Sequence, residues 1–185
     1  MARSTPALII ASLIAALVVM TVAPPAEARP RPQRGSSDFR ANKEFGLGFM
    51  LGDPTGLAGK YYLGTDTALD FGLGYGGYYY RGRHGLHAHM SFLWHPVVLA
   101  KPDPFWLPLY FGVGGRFLER GYFDDRYDRR PRLGVRVPGG IMMDFNNVPI
   151  DIFAELAFIV DFIAPRDRRR GYTGLHGALG LRYYF

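Results

Sequence analysis

Three observations on the sequence predict an all-β fold, an eight-stranded antiparallel up-and-down barrel. First, eight segments alternate apolar residues with polar or small ones at a period of two, and turn residues bound each segment. Second, every charged side chain in these segments falls on the polar or small face. Third, the chain ends in GLHGALGLRYYF, which reads as a closing strand. Because successive strand side chains point to opposite faces, each segment has one apolar face.

The segments are separated by turns, proline-rich links or charged loops. In chain order we predict strands at 44–52, 57–63, 69–76, 86–95, 105–118, 133–145, 150–162 and 174–185. We expect the fourth strand to end at His95, because Pro96 and the prolines after it would not fit a central strand. An even strand count places both chain termini at one end of the barrel. The longer predicted connections, at 77–85, 119–132 and 164–173, then fall at the opposite end.

Residues 1–28 have the pattern of a secretory signal peptide. Arg3 supplies the positive charge, an apolar run spans 7–23, and an A-x-A cleavage site ends at Ala28. We therefore predict secretion and cleavage after Ala28. The alternative is an uncleaved membrane anchor, because the apolar run is long for a signal.

Residues 29–43 are rich in proline, arginine and serine and are predicted to form a flexible basic leader, which leaves 44–185 as the barrel domain. The chain has no cysteine, which excludes disulfides, thiolate metal sites and a cysteine nucleophile. No later segment has the roughly 20 apolar residues of a membrane-spanning helix. Such a secreted chain can still cross a membrane, but only as a closed barrel.

The inward face of the predicted strands carries their charge. An outward Arg or Lys at mid-depth in a bilayer costs about 2–4 kcal/mol, so the apolar outer face suits a transmembrane barrel. Eight strands enclose a space just wide enough for side chains to fill. We expect Glu155 to be bridged by Arg136 and Arg116, with Lys60 close by. The full predicted polar network of the lumen is Lys60, Asp70, His89, Arg116, Arg136, Asp151, Glu155, Asp161 and Arg182.

The strand count, the polarity pattern and the terminal Tyr-Tyr-Phe resemble the small eight-stranded outer-membrane barrels of the outer membrane protein A transmembrane-domain and outer membrane protein X type. The PIDIFAELAF run and the RYYF ending are similar to small uncharacterised barrels of Gram-negative bacteria. The resemblance covers about 44–185 and implies a bacterial outer-membrane location with both termini in the periplasm. It also implies a C-terminal signal read by the barrel assembly machinery, formed by Leu179, Leu181, Tyr183 and Phe185.

The expected function is a structural or surface-interaction role without enzymatic activity or a cofactor. Arginine forks suit phosphate groups, and the external loops are rich in arginine. The expected partners are outer-membrane lipid and the phosphates of lipopolysaccharide. Nucleic acid is not expected, because a secreted barrel has little access to it. Solvated loop charge is the alternative interpretation. The predicted phosphate contacts are Arg129, Arg130, Arg168, Arg169 and Arg170.

Two other functions remain open, a lipid-modifying enzyme and a narrow pore. His89-x-Ser91 resembles the His-x-Ser pair of lipid A deacylase, a barrel with a serine nucleophile activated by histidine, although here the pair faces the lumen. His87 and His89 share a face and could hold a metal ion with a ligand from another strand. We predict no metal site, because lumen histidines more often simply form hydrogen bonds.

Overall fold

The fold is a closed antiparallel barrel. The computed structural model describes residues 38–76, 85–119, 131–162 and 172–185. Each strand pairs antiparallel with the next, and β8 pairs with β1, which confirms the predicted eight-stranded up-and-down topology. Within these ranges, no helix is long and apolar enough to cross a membrane. The strands are β1 (Phe45–Gly52), β2 (Thr55–Tyr62), β3 (Thr67–Gly76), β4 (Gly85–Ala100), β5 (Phe105–Leu118), β6 (Arg132–Phe145), β7 (Ile150–Phe162) and β8 (Tyr172–Tyr184).

The two ends of the barrel differ in their connections. We call one the terminal end; it holds the segment before β1, the carboxyl terminus and the short links at 63–66, 101–104 and 146–149. We call the other the loop end; it holds the tight β1–β2 turn and the longer links at 77–84, 119–131 and 163–171. The longer connections therefore gather at the end opposite the termini.

The strand alternation separates an apolar outer wall from a polar interior. In β7, for example, Leu156 and Phe158 are exposed on the outer face, whereas Glu155 and Ala157 are buried. No charged side chain of the described strands lies on the outer wall; Arg132, at the loop-end mouth, is the least buried of them. The charged side chains of the described strands therefore face the barrel interior, where their pairing partners are other inward-facing groups.

The fourth strand is longer than predicted. The prediction that it ends at His95 is wrong, because β4 continues through Pro96 to Ala100. The β4–β5 register shifts between Trp94 and Val97, so Pro96 lies at an irregularity of that ladder. A bulged residue is left unpaired, and the missing N–H of a proline therefore costs the ladder no hydrogen bond there.

The last part of the predicted leader packs against the barrel. Phe39 is 0% exposed, and the N–H of Ala41 donates to the carbonyl oxygen of Thr65 at 2.7 Å. Nζ of Lys43 donates to Asp144 at 2.5 Å and to the carbonyl oxygen of Phe145 at 2.7 Å. The expectation of a flexible leader therefore does not hold for 38–43, where Phe39, Asn42 and Lys43 are buried against the barrel. Residues 29–37 and the predicted signal peptide lie outside the described residues.

Candidate functional site

The candidate site is the polar lumen, the set of inward-facing charged side chains together with Lys43. Burial of these groups is favourable only if each is paired, because an isolated ion inside a protein loses its hydration without compensation. The ten that are most deeply enclosed are each at most 9% exposed. The five bases are Lys43, Lys60, Arg116, Arg136 and Arg182, and the five acids are Asp70, Asp144, Asp151, Glu155 and Asp161.

Among the described residues, Arg182 is the centre of the largest cluster of ion pairs. The β7–β8 register places Asp151 directly opposite Arg182, and Nε of the arginine donates to that carboxylate at 3.0 Å. Nη1 of Arg182 reaches across the lumen to Asp70 at 2.8 Å. The hydroxyl of Tyr184 donates to Asp151 at 2.5 Å. One arginine thus connects three strands, β3, β7 and β8.

Arg136 and Glu155 form a second pair nearer the middle of the barrel. Nη2 of Arg136 donates to Oε1 of Glu155. The hydroxyl of Tyr110 donates to the other carboxylate oxygen at 3.2 Å, and Nη1 of Arg136 contacts Oγ of Ser91 at 3.3 Å. The structure therefore brings Arg136 and Glu155 together, as expected from the sequence.

Arg116 pairs with Asp161 and not with Glu155, which corrects the expected double bridge. Its Nε and Nη2 donate to the two oxygens of Asp161 at 2.8 and 2.6 Å, a bidentate pair. The register explains the choice, because Arg116 lies opposite Gly134 and Gly134 lies opposite Asp161. A Cβ on Gly134 would come within 2.3 Å of Asp161 Oδ1, so glycine leaves the space that the two side chains use.

Lys60 lies among aromatic and histidine side chains. Its Nζ is 2.8 Å from Nε2 of His95 and 3.3 Å from the sulfur of Met142. It also lies over the rings of Tyr62 and Tyr110, at 4.9 and 5.2 Å from their centroids. The ring of Phe39 covers His95 with centroids 5.0 Å apart. Lys60 and Glu155 therefore both contact Tyr110, the lysine at its ring and the carboxylate at its hydroxyl.

Three histidines lie toward the loop end of the lumen. Nε2 of His89 is 3.5 Å from Asp70 Oδ2. Nδ1 of His176 is 3.3 Å from Asp53 and 3.4 Å from Nη1 of Arg116. His87 is fully buried, and neither of its ring nitrogens has a hydrogen-bond partner among the described residues. His87 therefore differs from the arginines of the lumen, each of which is held by a carboxylate.

Ser91 and His89 do not form a nucleophile–base pair in the described structure. Ser91 is 1% exposed, and its Oγ is contacted by Arg136, while Nδ1 of His89 has no hydrogen-bond partner. The His89 side chain instead faces Asp70, and the Ser91 side chain faces Arg136.

The predicted C-terminal signal residues occupy the closing seam of the barrel. Leu179 and Leu181 are exposed on the outer wall, and the rings of Tyr183 and Phe185 lie 5.2 Å apart. The N–H of Phe185 donates to the carbonyl oxygen of Phe45, which joins the carboxyl terminus to β1. The predicted phosphate contacts lie outside the described residues, namely Arg129, Arg130, Arg168, Arg169 and Arg170.

Sequence reasoning missed Phe39, Lys43 and Asp53 as parts of the lumen. Asp53 belongs to a turn and Phe39 to a polar segment, so neither has the alternating neighbours that mark an inward strand residue. The lone aromatic residue in a proline- and arginine-rich stretch is the one signal that could have identified Phe39. No protein-family model, curated protein or solved structure matches the chain. What the structure defines is a class of fold, the small closed eight-stranded barrel with a lumen lined by polar and charged side chains.

Proposed function

We propose that this chain is a bacterial outer-membrane barrel with a structural or surface-interaction role. One observation carries the proposal: the described strands expose large apolar side chains around the wall and keep their charged groups inside. A water-soluble barrel gains nothing from such a wall, whereas acyl chains require it. After a carbonate wash, the protein should cosediment with the outer membrane; release into the soluble periplasmic fraction would contradict the proposal.

The proposed orientation places the terminal end in the periplasm and the loop end outside the cell. Two features support it: the aromatic carboxyl terminus expected of an assembly signal, and the gathering of longer connections at the loop end. Protease added to intact cells tests this orientation. Cleavage within 119–131 is expected, whereas cleavage confined to the links at 101–104 and 146–149 would reverse it.

The proposed barrel conducts no ions. Ion pairs and aromatic rings occupy its interior from Arg116 to Phe39, and an eight-stranded interior leaves little room beside such side chains. In planar bilayers, protein whose insertion is verified by protease protection should show no discrete conductance steps. Reproducible single-channel steps would instead support the narrow-pore alternative.

The proposed surface partner is the phosphate of lipopolysaccharide, contacted by arginines of the external loops. Replacing the three arginines at 168–170 by glutamine should reduce copurifying lipopolysaccharide. Lys101→Gln, in an exposed link at the terminal end, is the matched control and should leave the amount of copurifying lipopolysaccharide unchanged. Equal lipopolysaccharide content in both variants would contradict this part of the proposal.

The proposal includes no lipid hydrolysis. The burial of Ser91 and its contact with Arg136 favour a role in the polar lumen, so purified protein is expected to release no fatty acid from lipopolysaccharide. Release that disappears in Ser91→Ala would contradict this and favour the deacylase alternative.

A further inference from the structure

Two histidines and an aspartate converge at the loop end from three different elements. Asp53 lies in the β1–β2 turn, His87 near the start of β4 and His176 near the start of β8. One potential ligand atom from each residue lies within 4.8 Å of the other two. The shortest separations are 3.3 Å from His176 Nδ1 to Asp53 and 3.8 Å from His87 Nδ1 to Asp53. This convergence joins parts of the chain that are distant in sequence.

The burial of His87 points independently to a ligand. The side chain is fully enclosed, yet neither ring nitrogen has a hydrogen-bond partner in the described part of the chain. Buried polar groups without partners are rare, because they lose their hydration without compensation. A neutral imidazole always presents one nitrogen lone pair, and a bound metal ion would satisfy it.

The donor set selects the class of ion. Two imidazoles and one carboxylate suit zinc and its transition-metal neighbours, whereas magnesium and calcium prefer oxygen ligands. Ligand atoms of a tetrahedral zinc ion lie roughly 3.3 Å apart, since each bond is about 2.0–2.1 Å. The two separations from Asp53, 3.3 and 3.8 Å, are close to this value.

The surrounding charges are compatible with a cation. Arg116 contacts His176, but its charge is neutralised by the bidentate pair with Asp161. The ring of His89 lies 5.5 Å from that of His87, and its Nδ1 also lacks a hydrogen-bond partner among the described residues. The carboxylate of Asp53 lies beside the imidazoles of both His87 and His176.

We propose that Asp53, His87 and His176 bind a divalent transition-metal ion of the zinc class at the loop end of the lumen. Three protein ligands leave a fourth coordination position for water. The ion links the β1–β2 turn to β4 and β8, close to the seam where Gly52 pairs with Ala178. This site replaces the His87–His89 pair considered from sequence alone, because ligand atoms of His87 and His176 converge on Asp53, whereas His89 faces Asp70.

The test is zinc titration of the full-length, tag-free barrel in detergent after treatment with a chelator. The unmodified protein should take up one zinc ion per chain, as measured by calorimetry. His87→Ala and His176→Ala should each abolish that uptake. His95→Ala, whose imidazole lies at the terminal end, is the matched control and should retain it.

Cobalt provides a second readout that does not depend on the alanine variants folding. Tetrahedral coordination should give visible absorption bands when Co²⁺ is added to the unmodified protein, and zinc should remove them. Asp53→Asn, which keeps the shape of the side chain, should weaken the bands. No zinc uptake by the unmodified protein, or equal uptake by folded His87→Ala, would overturn the proposal.

Discussion

The terminal end and the loop end of the lumen use their buried polar groups differently. At the terminal end, Lys43 is held by Asp144 and by backbone carbonyls, and Phe39 closes the mouth over His95. Toward the loop end, His87 and His89 contribute three of the four buried side-chain atoms without a hydrogen bond in the described structure. The fourth is Oδ1 of Asn42. The unsatisfied histidine nitrogens therefore lie toward the loop end, where the metal site is proposed.

The largest loss of stability is expected for Arg182→Met, which removes the central cation of the lumen. The variant leaves Asp151 and Asp70 buried without their main partner, and breaking such a pair costs about 3–5 kcal/mol. Urea unfolding in lipid vesicles measures this free energy. Adding Asp151→Asn should recover part of the loss; a single variant as stable as the unmodified protein would show that these pairs do not support the barrel.

A smaller loss is expected for Phe39→Ala at the terminal end. The ring packs against Tyr62, His95 and Trp106. Its removal should cost about 3 kcal/mol, the low end of the range for a buried phenylalanine, because the neighbouring Asp38 and Arg40 are not buried and the segment can readjust. Asp38→Ala is the control, because Asp38 is the exposed neighbour in the same segment. Equal unfolding free energies for the two variants would mean that the segment before β1 does not close the barrel.

The smallest effect is expected for His87→Leu in the presence of a chelator. Replacing a buried imidazole that lacks hydrogen bonds with an apolar side chain should change the unfolding free energy by within about 0.5 kcal/mol, or increase it. With zinc present, the unmodified protein should become the more stable of the two, because only its folded state binds the ion. A large decrease in the unfolding free energy of His87→Leu in the presence of the chelator would instead show that His87 stabilises the barrel without a metal ion, as Arg182 does.

The wall of the barrel could be predicted from sequence, whereas the partners across its lumen could not. Alternation is a local property of a strand, so Leu156 outside and Glu155 inside follow from neighbouring residues alone. The partner of Arg116 depends on how far each strand is shifted against the next, which the period of two leaves undetermined. The same dependence on register brought His176, from the last strand, beside His87.

Elements outside the strand pattern were predicted least well. Pro96 was expected to end β4, but a bulge accommodates it without loss of a ladder hydrogen bond. Residues 38–43 were expected to be flexible because their composition is polar, yet Phe39 and Lys43 find buried partners in the lumen. Composition describes the average of a segment and does not show which of its side chains pack against the rest of the protein.

The most direct test of the proposed membrane location compares one charge at two depths. Leu156 is 58% exposed at the middle of β7, and Val148 is 42% exposed in a link at the terminal end. In lipid vesicles, Leu156→Arg should lower the unfolding free energy by about 2–4 kcal/mol, whereas Val148→Arg should lower it by about 0–1 kcal/mol. Equally small effects at both positions, in a protein that stays dissolved without detergent, would contradict a barrel that spans a membrane.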